Sequence, residues 1–214
     1  MKYHKLVENA KKPNGFWGKM MIKAMNKGHS SLTSWGLEHM NIERTATVLD
    51  IGCGGGKTVD RLCSIVANGK VYGIDYSKLS VKSSEKLNSK NILCNKAKIL
   101  QASVSDMPFD DNTFNNITAV ETYYFWPDKE NDVKEVFRVL KQGGTVMLLF
   151  EMLRTDDDPF KWEKVENMLN IKSVTPQEIR AVLESAGFEN INTYTKEGTT
   201  WLCATAQKPK DDEN

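Results

Sequence analysis

A chain of 214 residues is long enough to bury one well-formed α/β core and too short for two. Its 29 Lys and Arg against 28 Asp and Glu leave a formal charge of +1, which gives no global attraction for nucleic acid or an anionic membrane, although a local basic patch stays open. The four cysteines (Cys53, Cys63, Cys94, Cys203) show no CxxC pair or metal-ligand spacing, no apolar run approaches a membrane span, and the first residues lack a signal-peptide core. The expectation is a cytoplasmic protein with reduced thiols and no bound metal.

Residues 1–14 are polar and end in Lys11-Lys12-Pro13-Asn14, the composition of a mobile or loosely docked terminus. From Gly15 onward, Phe16, Trp17, Met20, Met21, Ala24 and Met25 recur at helical spacing, with Lys19, Lys23 and Lys27 four apart on the other side. This predicts a Met-rich amphipathic helix, which either covers an edge of the core or forms a lid over an apolar ligand. His29 follows Gly28 in a turn before a second apolar stretch (Leu32, Trp35, Leu37, Met40), a setting that suits an exposed or capping histidine better than a catalytic one. Residues 1–45 thus read as helical decoration on a main domain spanning 46–207, and residues 208–214 as a charged, disordered tail.

Val48-Leu49-Asp50-Ile51 is a short apolar run that meets Gly52, Gly54, Gly55 and Gly56, and residues 57–67 read as a helix. Strand, glycine-rich turn and helix together bring backbone N–H groups close to a ligand where a Cβ would clash. A second strand, Val71–Ile74, ends in Asp75, which stands 23 residues after Gly52; that separation places a carboxylate beside a ribose, with Ser77 left to cap the next helix. Residues 78–90 are helix-compatible, 97–102 form a third strand and 116–120 a fourth. After the fourth come Glu121, Thr122 and four consecutive aromatics, Tyr123 to Trp126, where open α/β sheets hold their ligands. Tyr123 and Tyr124 read as pocket residues and Trp126 as a core anchor. A helix over 130–141 with Gly143 in the left-handed position behind it leads to a fifth strand at 145–150. An amphipathic piece at 160–169, a capping box at Thr175-Pro176-Gln177-Glu178 and a hairpin of strands 191–194 and 200–206 complete the chain.

The run Asp50-x-Gly52-x-Gly54-x-Gly56, together with Asp75 and Arg138-Val139-Leu140-Lys141-Gln142-Gly143-Gly144 leading into a strand, resembles the class I S-adenosylmethionine-dependent methyltransferases of small-molecule type over roughly residues 46–206. A dinucleotide fingerprint would need glycine where Lys57 stands. The resemblance implies a Rossmann-like three-layer α/β sandwich whose seven-stranded, mostly parallel sheet has an antiparallel last strand. It also implies S-adenosylmethionine as co-substrate, with Asp50, Gly52, Cys53 and Gly54 at its methionine part, Asp75 at the ribose, and Tyr76, Ser103 and Val104 at the adenine. Glu121 would lie near the sulfur and amino end. Met107-Pro108-Phe109 matches a family triplet, whereas Ala102 and Ser103 stand where an acidic residue is usual.

The reaction implied is an in-line displacement that leaves S-adenosylhomocysteine. A base is needed if the acceptor is a hydroxyl or amine, and the candidates are His29, if the amino-terminal segment folds over the site, Tyr123 and Tyr124. The chain lacks both the Asn/Asp-Pro-Pro-aromatic run and the Pro-Cys of nucleic-acid methylating enzymes, so the expected partner is a small-molecule acceptor, apolar or aromatic in part, with no nucleic acid and no membrane. Monomer and homodimer are both open. The competing readings are a protein that binds S-adenosylmethionine as a signal without turnover and a nicotinamide-dependent oxidoreductase.

Overall fold

The computed structural model describes residues 13–210. Seven strands, β1 (Thr47–Ile51), β2 (Lys70–Asp75), β3 (Ala97–Gln101), β4 (Phe114–Val120), β5 (Leu140–Phe150), β6 (Glu189–Thr195) and β7 (Leu202–Gln207), form one sheet in the order β3-β2-β1-β4-β5-β7-β6. The pairs β1–β2, β1–β4, β2–β3 and β4–β5 are parallel, and β7 runs antiparallel between β5 and β6. The Rossmann-like sandwich with its antiparallel last strand is therefore the observed fold.

Alternation along the strands builds the two sides of the sheet. Leu49, Ile51, Ile117, Val146, Leu148 and Phe150 face one core, completed by Val133 and Val136 of α6 (Lys129–Val139) and by Ile179 and Leu183 of α8 (Pro176–Ser185). On the other face Val48, Val71 and Ile99 meet Val59, Leu62 and Cys63 of α3 (Lys57–Ile65) and Val81 of α4 (Lys78–Leu87). Further along that face, Leu32 and Trp35 of α2 (Ser30–Leu37) pack on Met147, Leu149 and Cys203. Burying such side chains is worth about 1.5–3 kcal/mol each, so α2 packs as part of the layer, while α1 (Gly15–Gly28) lies against the glycine loop at the carboxyl edge of the strands.

Several expectations shift. The helix expected over 130–141 ends at Val139, because Leu140 already has strand geometry and pairs with Phe114; Gly143 (φ +70°) sits inside β5, its N–H bonded to the Lys208 carbonyl. The helix expected over 78–90 breaks at Asn88 into α4 and the short α5 (Ser89–Leu93), since the Asn88 amide donates to the carbonyls of Gly56 and Ser84. The piece at 160–169 is helical only over α7 (Glu163–Leu169). Thr175 and Glu178 form the full capping box. Lys208, assigned above to a disordered tail, is buried, with its ammonium donating to Asn112 Oδ1 and the Phe137 carbonyl, each at 2.8 Å; the rest of the expected tail beyond 210, like residues 1–12, lies outside the described residues. None of the six residues of the expected Met-rich face of α1 is buried: the helix buries Ile22 instead, Trp17, Met21 and Met25 are half-buried, and Phe16 and Met20 point to solvent.

Candidate active site

Five parallel strands end along one edge, and each delivers a residue there: β1 the glycine loop, β2 Asp75, β3 Ala102 and Ser103, β4 Glu121, β5 Glu151. The order reverses between β2-β1 and β1-β4, the point at which open sheets leave a crevice. Gly52 lies at its centre with φ +69°, and a Cβ there would meet Thr122 Oγ1 at 2.2 Å. Gly55 is crowded from the opposite side, its missing Cβ falling 2.3 Å from the Asn26 amide and 2.5 Å from Ile22 of α1. Helix α1 therefore rests directly on the loop.

Two cavities meet at Gly52. The smaller, about 50 Å³, lies under α1 and α2 and is lined by Met25, Asn26, His29, Asp50, Gly52, Cys53, Gly54 and Arg61, among others. The larger, about 850 Å³, is lined by Ile74, Asp75, Tyr76, Ala102, Ser103, Val104, Thr122, Tyr124, Phe125, Trp126, Ile171 and their neighbours. That is the volume of a site for a drug-sized ligand.

The cleft is rich in carboxyl groups without cationic partners. Burial pushes Asp50 up to about 7, against the hydrogen bond it accepts from Thr118 Oγ1 at 2.8 Å and with a further push from Asp75. Asp75 is also raised by burial, opposed by the N–H groups of Ser77 (2.8 Å) and Gly54 (2.9 Å) that its two oxygens accept. Glu121 is pushed to about 8 by burial, opposed by the Glu151 N–H, which donates to its Oε1. Among the described residues none of these three has an ion-pair partner. Buried carboxyl groups raised in this way would be drawn back toward ionisation by a cation placed beside them.

Glu121 adopts φ +58°, a conformation costing a non-glycine residue roughly 1–2 kcal/mol. The turn aims its carboxyl back at β5, where Tyr124 Oη donates to it at 3.4 Å and accepts from the Met152 N–H at 3.0 Å. Glu151 is thereby fixed with its Oε2 3.9 Å from His29 Nε2. Ligand atoms of His29, Glu121 and Glu151 lie within 4.8 Å of one another, close enough to hold one small cation between them. Burial holds His29 below its ordinary pKa, and Glu151 partly restores it.

Of the residues singled out from sequence, Asp50, Gly52, Cys53, Gly54 and His29 border the smaller cavity, and Asp75, Tyr76, Ser103, Val104 and Tyr124 the larger. His29, read as better suited to an exposed turn, is brought in because α1 folds across the loop. Tyr123 lines neither cavity: its ring packs against Trp126 and Phe150 in the core, and burial raises its hydroxyl to about 12. Tyr124 reaches the cleft, but its hydroxyl is occupied by Met152 and Glu121 and is driven well above the usual range by burial. Neither tyrosine is placed to serve as a base. The Cys53 thiol is likewise raised by burial and faces Ser84. Asp75 is not left free by the Ser77 cap, since it also clamps the Gly54 N–H. Sequence reading missed Thr122, Glu151, Arg61 and the α7 side of the larger cavity (Glu166, Asn170, Ile171). Glu151 had one available signal, its place directly after a parallel strand.

Residues 49–148 match the family profile described as Methyltransferase domain. The chain is 26% identical over 183 residues to the uncharacterized methyltransferase YdaC of Bacillus subtilis, covering 85% of this chain and 93% of the relative. To the ubiquinone/menaquinone biosynthesis C-methyltransferase UbiE of Cronobacter sakazakii it is 30% identical over 181 residues, covering 73% and 72%. It spans about half the length of several demethylmenaquinone methyltransferases that it also matches. A chain of the complex between the Haloferax volcanii Trm112 methyltransferase activator and a methyltransferase shares the fold, with a TM-score of 0.74 at 19% identity over 88% of this chain and 93% of that one. With the glycine loop, the carboxylates at the strand ends and these relatives, the chain belongs to the class I S-adenosylmethionine-dependent methyltransferases.

Proposed function

We propose that the enzyme methylates a small, largely apolar acceptor with a quinol-like or related ring, and that α1 closes over the reacting groups. The observation that carries the reading is the set of three buried carboxyls without cationic partners, flanking a glycine loop at the ends of three adjacent strands. S-adenosylmethionine has a sulfonium and an ammonium to offer such a cleft, whereas the pyrophosphate of a nicotinamide dinucleotide would be repelled by it. When bound, it supplies a methyl on a sulfonium that a lone pair displaces in line.

In this reading Asp50, Gly52, Cys53 and Gly54 hold the methionine end, Asp75 accepts from the ribose hydroxyls, and Tyr76, Ser103 and Val104 border the adenine. Glu121 faces the amino end. Phe125, Trp126 and Ile171 give the larger cavity apolar walls, which exclude water and favour a step in which charge disperses. Relatives named for menaquinone and ubiquinone biosynthesis support an apolar ring as acceptor. His29, kept neutral by burial, takes the acceptor's proton on Nε2, and the imidazolium so formed faces the Glu151 carboxylate.

Calorimetric titration tests the site. S-adenosylhomocysteine should bind in the micromolar range and NADH not at all. Asp75→Ala should weaken binding about 100-fold or more, since two hydrogen bonds to a charged group are lost along with the ribose contact. A folded wild-type protein that ignores S-adenosylhomocysteine refutes the assignment. With binding established, transfer of a labelled methyl to a panel headed by a naphthoquinol, with a catechol, an amine and a thiol beside it, tests the acceptor.

A further inference from the structure

We propose that the outer face of α1 and α4 is a docking surface for an anionic phospholipid membrane. A groove of about 940 Å³ runs between the two helices. Phe16, Met20 and Leu87 line it while 69%, 45% and 45% exposed, which is half of the six large apolar side chains exposed among the described residues. Single exposed apolar residues need no explanation, but three gathered in one groove mark an interaction site.

Charge identifies the partner. Lys19 and Lys23 on α1 and Lys82 and Lys86 on α4 border the same groove, all four exposed, and no carboxylate lines it among the described residues. A chain of net charge +1 thus concentrates four ammonium groups around three exposed apolar side chains. That pairing is the signature of a surface lying in the headgroup region, with apolar side chains entering the acyl boundary and lysine stems reaching back to phosphate level. Nucleic acid would be served by arginines and several stacking rings, and among the described residues the groove has one aromatic and no arginine.

The surface is also coupled to the active site. Asn26 and Gly55 line both the groove and the smaller cavity of the cleft, so the helix that touches the bilayer is the one that walls the reacting end. A lipid-dissolved acceptor would reach the cleft from the docked state, although the docking itself does not depend on the identity of the acceptor.

Sedimentation of the full-length protein with vesicles provides the test. Vesicles of phosphatidylglycerol and phosphatidylcholine in equal parts should bring the protein down at low salt, and pure phosphatidylcholine should not. Each lysine near an anionic surface is worth about a fivefold change in partitioning, so Lys→Gln at all four positions should weaken binding on the order of several hundredfold. The double variant Phe16→Ser, Met20→Ser keeps the charge and should weaken it about tenfold or more. All of these positions are exposed, and circular dichroism melts should coincide with wild type. No sedimentation with anionic vesicles, equal sedimentation with neutral ones, or unchanged binding by both variants overturns the proposal. So does binding of polyglutamate or single-stranded DNA as tightly as vesicles, which would make the groove a general polyanion site.

Discussion

Replacing Gly52 with alanine isolates what the glycine loop does at the centre of the cleft. At φ +69° the new side chain costs roughly 1–2 kcal/mol in backbone strain. Its Cβ would stand 2.2 Å from Thr122 Oγ1, 2.7 Å from Thr122 Cβ and 3.2 Å from Thr122 Cγ2, so all three nearest atoms belong to one side chain. Forcing them apart adds about 1–3 kcal/mol, for a total of about 2–5 kcal/mol lost from stability. Thr122→Gly removes every one of these atoms and should return the steric share while leaving the strain. Urea unfolding of wild type, the two single variants and the double variant gives the coupling directly, expected at about 1–3 kcal/mol. Affinity for S-adenosylhomocysteine, measured on the same four proteins, should fall at least tenfold in Gly52→Ala and recover in part in the double variant. Full stability and affinity in Gly52→Ala, or additive losses in the double variant, would refute the claim that Gly52 exists to admit the Thr122 side chain beside the ligand.

Three further outcomes follow from the titratable groups. Glu121 has a folded-state value of about 8 against an ordinary 4.5, so the folded protein holds an extra proton between them; the stability of wild type should fall as pH rises from about 4.5 to about 8, then level off. The thermal midpoint of Glu121→Gln relative to wild type should climb across that window, and a difference independent of pH would contradict the buried carboxyl. If His29 is the base, methyl transfer requires its neutral form, and because its pKa is lowered from 6.5 the acidic limb of kcat should lie below that value. Glu151→Gln removes the group that raises His29, so the limb should move to still lower pH while kcat drops about tenfold or more; Glu121 and Asp50 from the sheet and Lys57 and Arg61 from α3 stay in place around the imidazole. A limb that does not move in Glu151→Gln assigns the proton to another group.

The sequence alone determined the order of elements and the glycine-loop end of the cleft, because those depend on local chemistry. Glycines at fixed spacing after an apolar run, a carboxylate at the end of the next strand, and a threonine-proline capping box each act within a few residues, and each is found where its spacing predicted. Element ends moved where a distant partner intervened: Asn88 broke a helix to reach Gly56, and Lys208 left the polar tail to cap carbonyls near Phe137. The His29–Glu151 end of the cleft was decided by tertiary structure. His29 and Glu151 are 122 positions apart and meet only because α1 crosses the glycine loop while Glu121 and Tyr124 clamp the exit of β5. Tyr123 and Tyr124, adjacent and alike in sequence, are divided by a single 3₁₀ turn at residues 123–125, one ring going into the core and one to the cavity wall. Periodicity reports which residues share a face of their own element; which face of another element they meet is set by the packing of the whole sheet.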